Sequence, residues 1–282
     1  MTNSSVQFAH IAPTAYLRDF TRTNDVHLVL AHLVETDPAY AAYYRSLDDG
    51  KLKIMDNAGF EMFKQGKPMY PSDRLIDVGR ACNADIIVMS DYPSEHVDKT
   101  IAAAEAAIPQ FKQAGFGTFF VPQSEPGRLD QLLRGLEWGL NRPDVDLIGL
   151  SILACPIAFG VERNNPLQRF LSRWHVLQHM DRAGLLRSPS AHKRFHCLGM
   201  VDGPREMNLL RPYFPFIRSW DSSAAVWAGL HGRRFDSSPT GLIGGKFELE
   251  VDFGFPFSEQ LRESADVAFN VSLIDKLKRD EA

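Results

Sequence analysis

Cysteine is scarce in this chain of 282 residues: Cys82, Cys155 and Cys197 are odd in number, far apart and form no Cys-x-x-Cys pair. That count excludes a disulfide framework and a zinc ribbon, and it predicts a reducing compartment with each thiol acting as a small core residue. Long apolar runs are missing too. No segment approaches the ~18 consecutive apolar residues of a membrane span, and the opening MTNSSVQFAHIAPTAYLRD has no basic stretch leading into an apolar one. A soluble chain of the cytoplasm, making no membrane contact, is expected. There is no excess of positive charge, since 31 Lys and Arg face 35 Asp and Glu for a net charge of -4. Any contact with nucleic acid must therefore come from a local basic cluster.

Two motifs are absent as well. GFGTFF (115–120) lacks the third glycine of a dinucleotide loop and enters a strand instead of a helix. His175, His179, His192 and His196 have no His-Glu-x-x-His or matching carboxylate spacing, so neither a metal nor any other cofactor is expected. No repeat, low-complexity tract or Pro/Gly-rich linker divides the chain, which predicts a single domain over 1–282.

What is present is an alternation of apolar runs with amphipathic segments, in a chain that is 44% hydrophobic. Segments 26–34, 52–60, 84–92, 115–123, 145–153, 194–202 and 214–222 are rich in β-branched and aromatic residues and continuously apolar at their centres. They read as strands buried on both faces, with 245–253 as an eighth. Helical patterns fill 71–83, 94–115, 127–142 and 165–186. Ser72 and Ser94 suit N-caps, Pro109 a kink and Gly115 a stop, and 258–280 reads as a closing helix. Eight strand–helix units at this length favour an α/β fold of the (β/α)8 TIM-barrel type over an open sheet. Polar residues recur at the strand ends: Asp56 and Asn57, Asp91, Gln123, Ser151, Asp202 and Asp221. Asp and Asn also mark strand-to-loop turns, but in a barrel all these ends open on one face, where active sites are built.

The order of these motifs resembles the tRNA-guanine transglycosylase superfamily. MDNAGFE supplies Asp56, Asn57, Gly59 and Phe60; MSDYP supplies Asp91; VPQSE supplies Gln123; IGLSI supplies Gly149 and Leu150; LGMVDGP supplies Gly199 and Met200; SWDSS supplies Asp221. The match spans roughly residues 50 to 235. The family's Cys-x-Cys-x-x-Cys zinc region is missing, since no cysteine follows Cys197. The chain is accordingly most similar to the short, zinc-free phage and bacterial branch that inserts 7-deazaguanines into DNA.

The resemblance implies a base exchange through a covalent aspartyl-glycosyl intermediate, with free guanine and a free 7-deazaguanine as small-molecule partners and DNA as the polymer. Asp221 would be the nucleophile and Asp56 the general acid/base. Asp91, Gln123 and the Gly149 amide would read the base, Asn57 and Leu150 would shape its pocket, and Phe60 and Met200, the latter beside Gly199, would sandwich it. Arg233 and Arg234, with Arg163, Arg169 and Arg173 on the long crossover, would meet phosphates. A tRNA substrate, or a catalytically silent nucleic-acid-binding barrel paired with a partner protein or a second copy, are the alternatives. A generic metal-independent aldolase or hydrolase barrel is a further alternative, although it lacks the expected lysine: Lys53 precedes its strand centre and Lys246 opens one.

Overall fold

In the computed structural model the residues described are 6–162, 164–187, 194–200, 203–242 and 249–279. They form eight parallel strands: β1 Gln7–His10, β2 His27–Leu30, β3 Lys53–Asp56, β4 Ile86–Val88, β5 Gly117–Phe120, β6 Leu147–Ser151, β7 Arg194–Leu198 and β8 Ile217–Ser222. The first helices are α1 Leu17–Phe20, α2 Ala31–Thr36, α3 Pro38–Ser46, α4 Gly59–Gln65, α5 Ser72–Cys82, α6 Val97–Gln113 and α7 Leu129–Asn141. They continue with α8 Ala154–Ala158, α9 Pro166–Arg182, α10 Glu206–Leu210, α11 Ala224–Leu230, α12 Glu259–Arg262 and α13 Ala265–Arg279.

The strand order is β1-β8-β7-β6-β5-β4-β3-β2, a wound-up parallel sheet whose edges are β1 and β2. This is the (β/α)8 barrel expected. Side chains seal its seam: Phe8 N–H donates to Asp25 Oδ2 at 3.0 Å, His10 N–H to Asn24 Oδ1 at 2.7 Å, and Asn24 Nδ2 to the His10 carbonyl at 3.0 Å. Asn24 thus presents an amide to β1 as a neighbouring strand would.

Both faces of the sheet are covered, so the strand centres are mostly apolar, with polar residues such as His196, Ser219 and Asp221 set into β7 and β8. Outside, Phe120 packs on Trp138 of α7 with ring centroids 4.7 Å apart. Inside, Gly149 of β6 leaves room for Val121, Leu198 and Phe119; a Cβ there would stand 2.7 Å from Val121 Cγ2. The lumen is a packed core beneath the mouth.

Some local expectations need correction. The first strand is the short QFAH at 7–10, and residues 249–253 of the expected eighth strand form none, while 243–248 lie outside the described residues. Residues 249–258 instead bridge the segment after β1, α4 and α11. Thr14 N–H donates to the Phe253 carbonyl at 3.0 Å, Trp227 Nε1 to the Leu249 carbonyl at 2.9 Å, and Lys64 pairs with Glu250. Segment 26–34 breaks at Leu30 into α2. His96 Nδ1, not Ser94, caps α6, and Ser72 begins α5 without a capping bond. Asn270 of α13 donates to the Ala225 and Arg233 carbonyls at 3.1 and 2.9 Å, and Lys278 Nζ reaches Asp25 at 2.7 Å, so this helix binds the last strand–helix unit to the seam.

Candidate active site

At the C-terminal mouth the ends of β3, β4, β5, β7 and β8 bring polar side chains together. The β8 side is built around a bulge. Phe195 stands opposite Ile217 while the next residue, His196, stands opposite Ser219, so Arg218 is the extra residue. Such a bulge re-aims the side chains that follow it. His196 Nδ1 lies 2.7 Å from Ser219 Oγ, and His196 Nε2 lies 2.9 Å from Asp221 Oδ1. The contact to a carboxylate requires a proton on Nε2, and in the neutral tautomer Ser219 then donates to Nδ1. Asp221, 4% exposed, also accepts the Gly199 N–H on Oδ1 at 3.1 Å. Both donors address Oδ1.

The β3–β4 side is built from the DNAG turn. Asp56 Oδ2 accepts the Ala58 N–H at 3.1 Å, and Asn57 Oδ1 accepts the Gly59 N–H at 2.7 Å. This holds Ala58 in the left-handed region (φ 57°, ψ 27°), uncommon for a residue with a Cβ. Gly59 has no alternative, because a Cβ there would meet Asp91 Oδ1 at 2.7 Å and Asn57 Oδ1 at 2.8 Å. Asn57 Nδ2 donates to the Met89 carbonyl and to Asp91 Oδ1, both at 2.7 Å, and Gln123 Nε2 donates to Asp91 Oδ2. Among the described residues Gln123 Oε1 is a buried acceptor without a partner.

Electrostatics separate the acids. Burial raises Asp91 to about 6, against the hydrogen bonds from Asn57 and Gln123 that favour its anion. Asp56 retains a small opening to the mouth, yet its carboxyl sits deep among protein atoms. That burial, then the charges of Glu61, Asp91 and Asp221, push it well above the ordinary carboxylate range. Burial also pushes His32, beside Glu61 at 3.9 Å, below its usual value, against the pull of that carboxylate.

The expected site residues are only partly assembled. Asp221, Asp56, Asp91, Asn57, Gln123 and Gly199 converge on the mouth. Gly149 and Leu150 lie within β6, paired with His196 and Cys197. Met200 is buried while Phe60 is 44% exposed. The arginines expected to hold phosphate form no cradle. Arg173 is wholly buried against Glu206 at 2.9 Å, Arg234 is tied to Asp266 at 2.5 Å, and Arg163 lies outside the described residues. Arg169 and Arg233 are half-buried and engaged. The mouth itself is lined with carboxylates, a poor surface for a polyanion. No cluster of three His, Cys, Asp or Glu suited to a metal exists among the described residues, and no helix among them is long and apolar enough to cross a membrane. A groove of about 640 Å³ bordered by Trp174, Arg182, Tyr213 and Phe216 contains none of the mouth residues.

His196 is the member of the site that was not expected. The pattern does leave a trace: Ser219 and Asp221 alternate on one face of β8, and His196 interrupts the apolar run of β7 opposite Ser219.

No protein-family model and no curated protein matches the chain. Among solved structures it is similar to an HpcH/HpaI aldolase/citrate lyase family protein from Burkholderia cenocepacia J2315. The identity is 11% and the TM-score 0.47, over 80% of this chain and 90% of that one. It is also similar to a variant of the citrate synthase SbnG, at 10% identity and a TM-score of 0.44, over 81% of this chain and 91% of that one. These neighbours are enzymes by description, and the likeness is one of fold alone. They belong to a different superfamily from the tRNA-guanine transglycosylases, and that assignment is withdrawn. With it go the pentosyl transfer, the guanine and 7-deazaguanine partners, the DNA and tRNA substrates, the silent nucleic-acid-binding subunit and the phage connection. The physical reason lies in the fold. Any eight-stranded barrel with polar strand ends strings short Asp, Gln, Gly and Asp motifs along its sequence at similar intervals.

Proposed function

We propose that the protein is an enzyme of the acid–base type. It acts on a small, uncharged or cationic molecule rich in hydroxyl or amino donors, with Asp56 supplying a proton and Asp221 serving as the anionic base. The observation that carries this reading is the clamp on Asp221: two N–H donors, His196 Nε2 and the Gly199 amide, converge on one carboxylate oxygen at 2.9 and 3.1 Å. Both donors are placed to hydrogen-bond a carboxylate oxygen, and Asp56 on the same mouth is driven towards its neutral form. A carboxyl pressed towards its neutral form, facing one that receives two N–H donors, is a pairing suited to a proton donor and a proton acceptor acting together. The buried Gln123 Oε1, with Asp91 behind it, offers acceptors to a substrate's N–H or O–H groups.

The test has two parts. Infrared difference spectra at pH 7 are expected to show a neutral carboxyl band that Asp56→Asn removes. A library of small hydroxyl- and amino-bearing compounds, screened by thermal shift and then for turnover, is expected to yield a substrate. Asp56→Asn and Asp221→Asn should each slow its turnover by about 10²–10⁴. A neutral-carboxyl band that survives Asp56→Asn, or turnover indifferent to both substitutions, overturns the reading.

A further inference from the structure

Arg173 is the largest charged side chain sealed inside the protein, and neither solvent nor the mouth reaches it. It projects from α9 behind the end of β7. Nη1 donates to Glu206 Oε2 and to the Gly199 carbonyl, both at 2.9 Å, and Nη2 donates to the Leu198 carbonyl. One guanidinium thus grips two consecutive carbonyls where the strand ends. The Leu198 carbonyl and the Gly199 N–H belong to the same trans peptide, so they point in opposite directions across a rigid plane. With the oxygen held by Arg173 and by the Ile152 N–H at 3.1 Å, the Gly199 N–H is aimed forward, and it meets Asp221 Oδ1 at 3.1 Å. Gly199 takes up the left-handed φ of 70° this requires, where a Cβ would also lie 2.9 Å from Ile152 Cδ1.

We infer that Arg173, held by Glu206, is a positioning residue for Asp221: its charge on the Leu198 carbonyl polarises and orients the Gly199 N–H that clamps the carboxylate. A cation at one end of a peptide and an anion at the other strengthen both hydrogen bonds in a low-dielectric setting. Glu206 is fully buried and keeps the guanidinium in register, so the pair does more than join α9 to α10. The inference rests on the reading of Asp221 as the anionic base, but its test uses the resting protein and needs no substrate.

The probe is the Gly199 amide, followed by its proton chemical shift and its hydrogen exchange. An N–H bonded to a carboxylate resonates downfield and exchanges slowly. Asp221→Asn is the control, expected to move the resonance upfield. Replacing the pair together, Arg173→Met with Glu206→Leu, keeps the volume and leaves no buried lone charge. In this folded variant the Gly199 resonance should also move upfield and its exchange should quicken at least tenfold. Arg173→Lys, which keeps the charge but not the fork, covers the case in which the pair variant fails to fold, and is expected to give a smaller change of the same sign. A Gly199 amide unchanged in a folded Arg173 variant, while Asp221→Asn moves it, overturns the inference. An amide indifferent to Asp221→Asn overturns the clamp itself. A neutral carboxyl that fails to appear at Asp56 leaves this result standing and strikes only the proposed function.

Discussion

The two sides of the mouth treat the same functional group in opposite ways. Along β7 and β8 the carboxylate of Asp221 is met by an imidazole N–H and a peptide N–H, with Arg173 behind the peptide. Along β3 and β4 the acids crowd one another: Glu61, Asp91 and Asp221 all raise Asp56, and Asp91 itself is lifted to about 6 despite two amide donors. Donors at hydrogen-bond distance stabilise a charge, whereas burial among other carboxylates penalises it. Different neighbours at neighbouring strand ends thus set one residue type in unlike surroundings.

The largest expected effect comes from breaking the donor side. Arg173→Ala leaves Glu206 buried without its partner and should cost about 3–5 kcal/mol in denaturant unfolding, while the matched Arg173→Met, Glu206→Leu pair should stay near the wild type. Relieving the crowded side should do the reverse in a pH-dependent way. Folded Asp91 keeps its proton up to about 6, against an ordinary 3.8. Between these values the folded state binds more protons than the unfolded, so this group's contribution improves as pH falls from about 6 to about 4. Its cost above pH 6 is on the order of 3 kcal/mol. Asp91→Asn should remove that slope, as read from melting at pH 4 and pH 7, because the Gln123 amide can turn its oxygen to the new NH₂ while Asn57 is fixed by Met89 and Gly59. The smallest effect sharpens the turn beneath these acids. Ala58→Gly relieves about 1–2 kcal/mol of left-handed strain and loses one buried methyl worth about 0.8 kcal/mol, for a net gain of a few tenths in unfolding free energy.

Much of this arrangement is visible in the pattern of residues. Asp56, Asp91, Gln123 and Asp221 each close a strongly apolar strand or follow it closely, and a parallel barrel turns that repetition into a shared face. QFAH is hard to see in the sequence because it is four residues long and polar at both ends, Gln7 and His10. Segment 245–253 carries the alternation of a strand, but its described part joins α11 to the segment after β1 through the carbonyls of Leu249 and Phe253. Arg173 sits in a helix rich in arginine and histidine, where a solvated face is the default expectation. Its burial depends on Glu206, on another element 33 residues away, and on two carbonyls that no side-chain pattern records. The transglycosylase resemblance drew on strand-end residues that the barrel itself arranges, and this is why motif order misled where burial and bonding partners did not.

The seam has a consequence for how the chain is made. Strand β1 pairs with β8, Gln7 opposite Ser219, and is sealed by Lys278 reaching Asp25. During synthesis it therefore waits for more than two hundred residues before its ladder partner leaves the ribosome. Until then the edges of β1 and of the growing sheet stand open, a long-range closure that makes folding slow and exposes nascent strands to mispairing. The acids at positions 56 and 91 can meet early, but the clamp that completes the mouth forms only once the last strand has arrived.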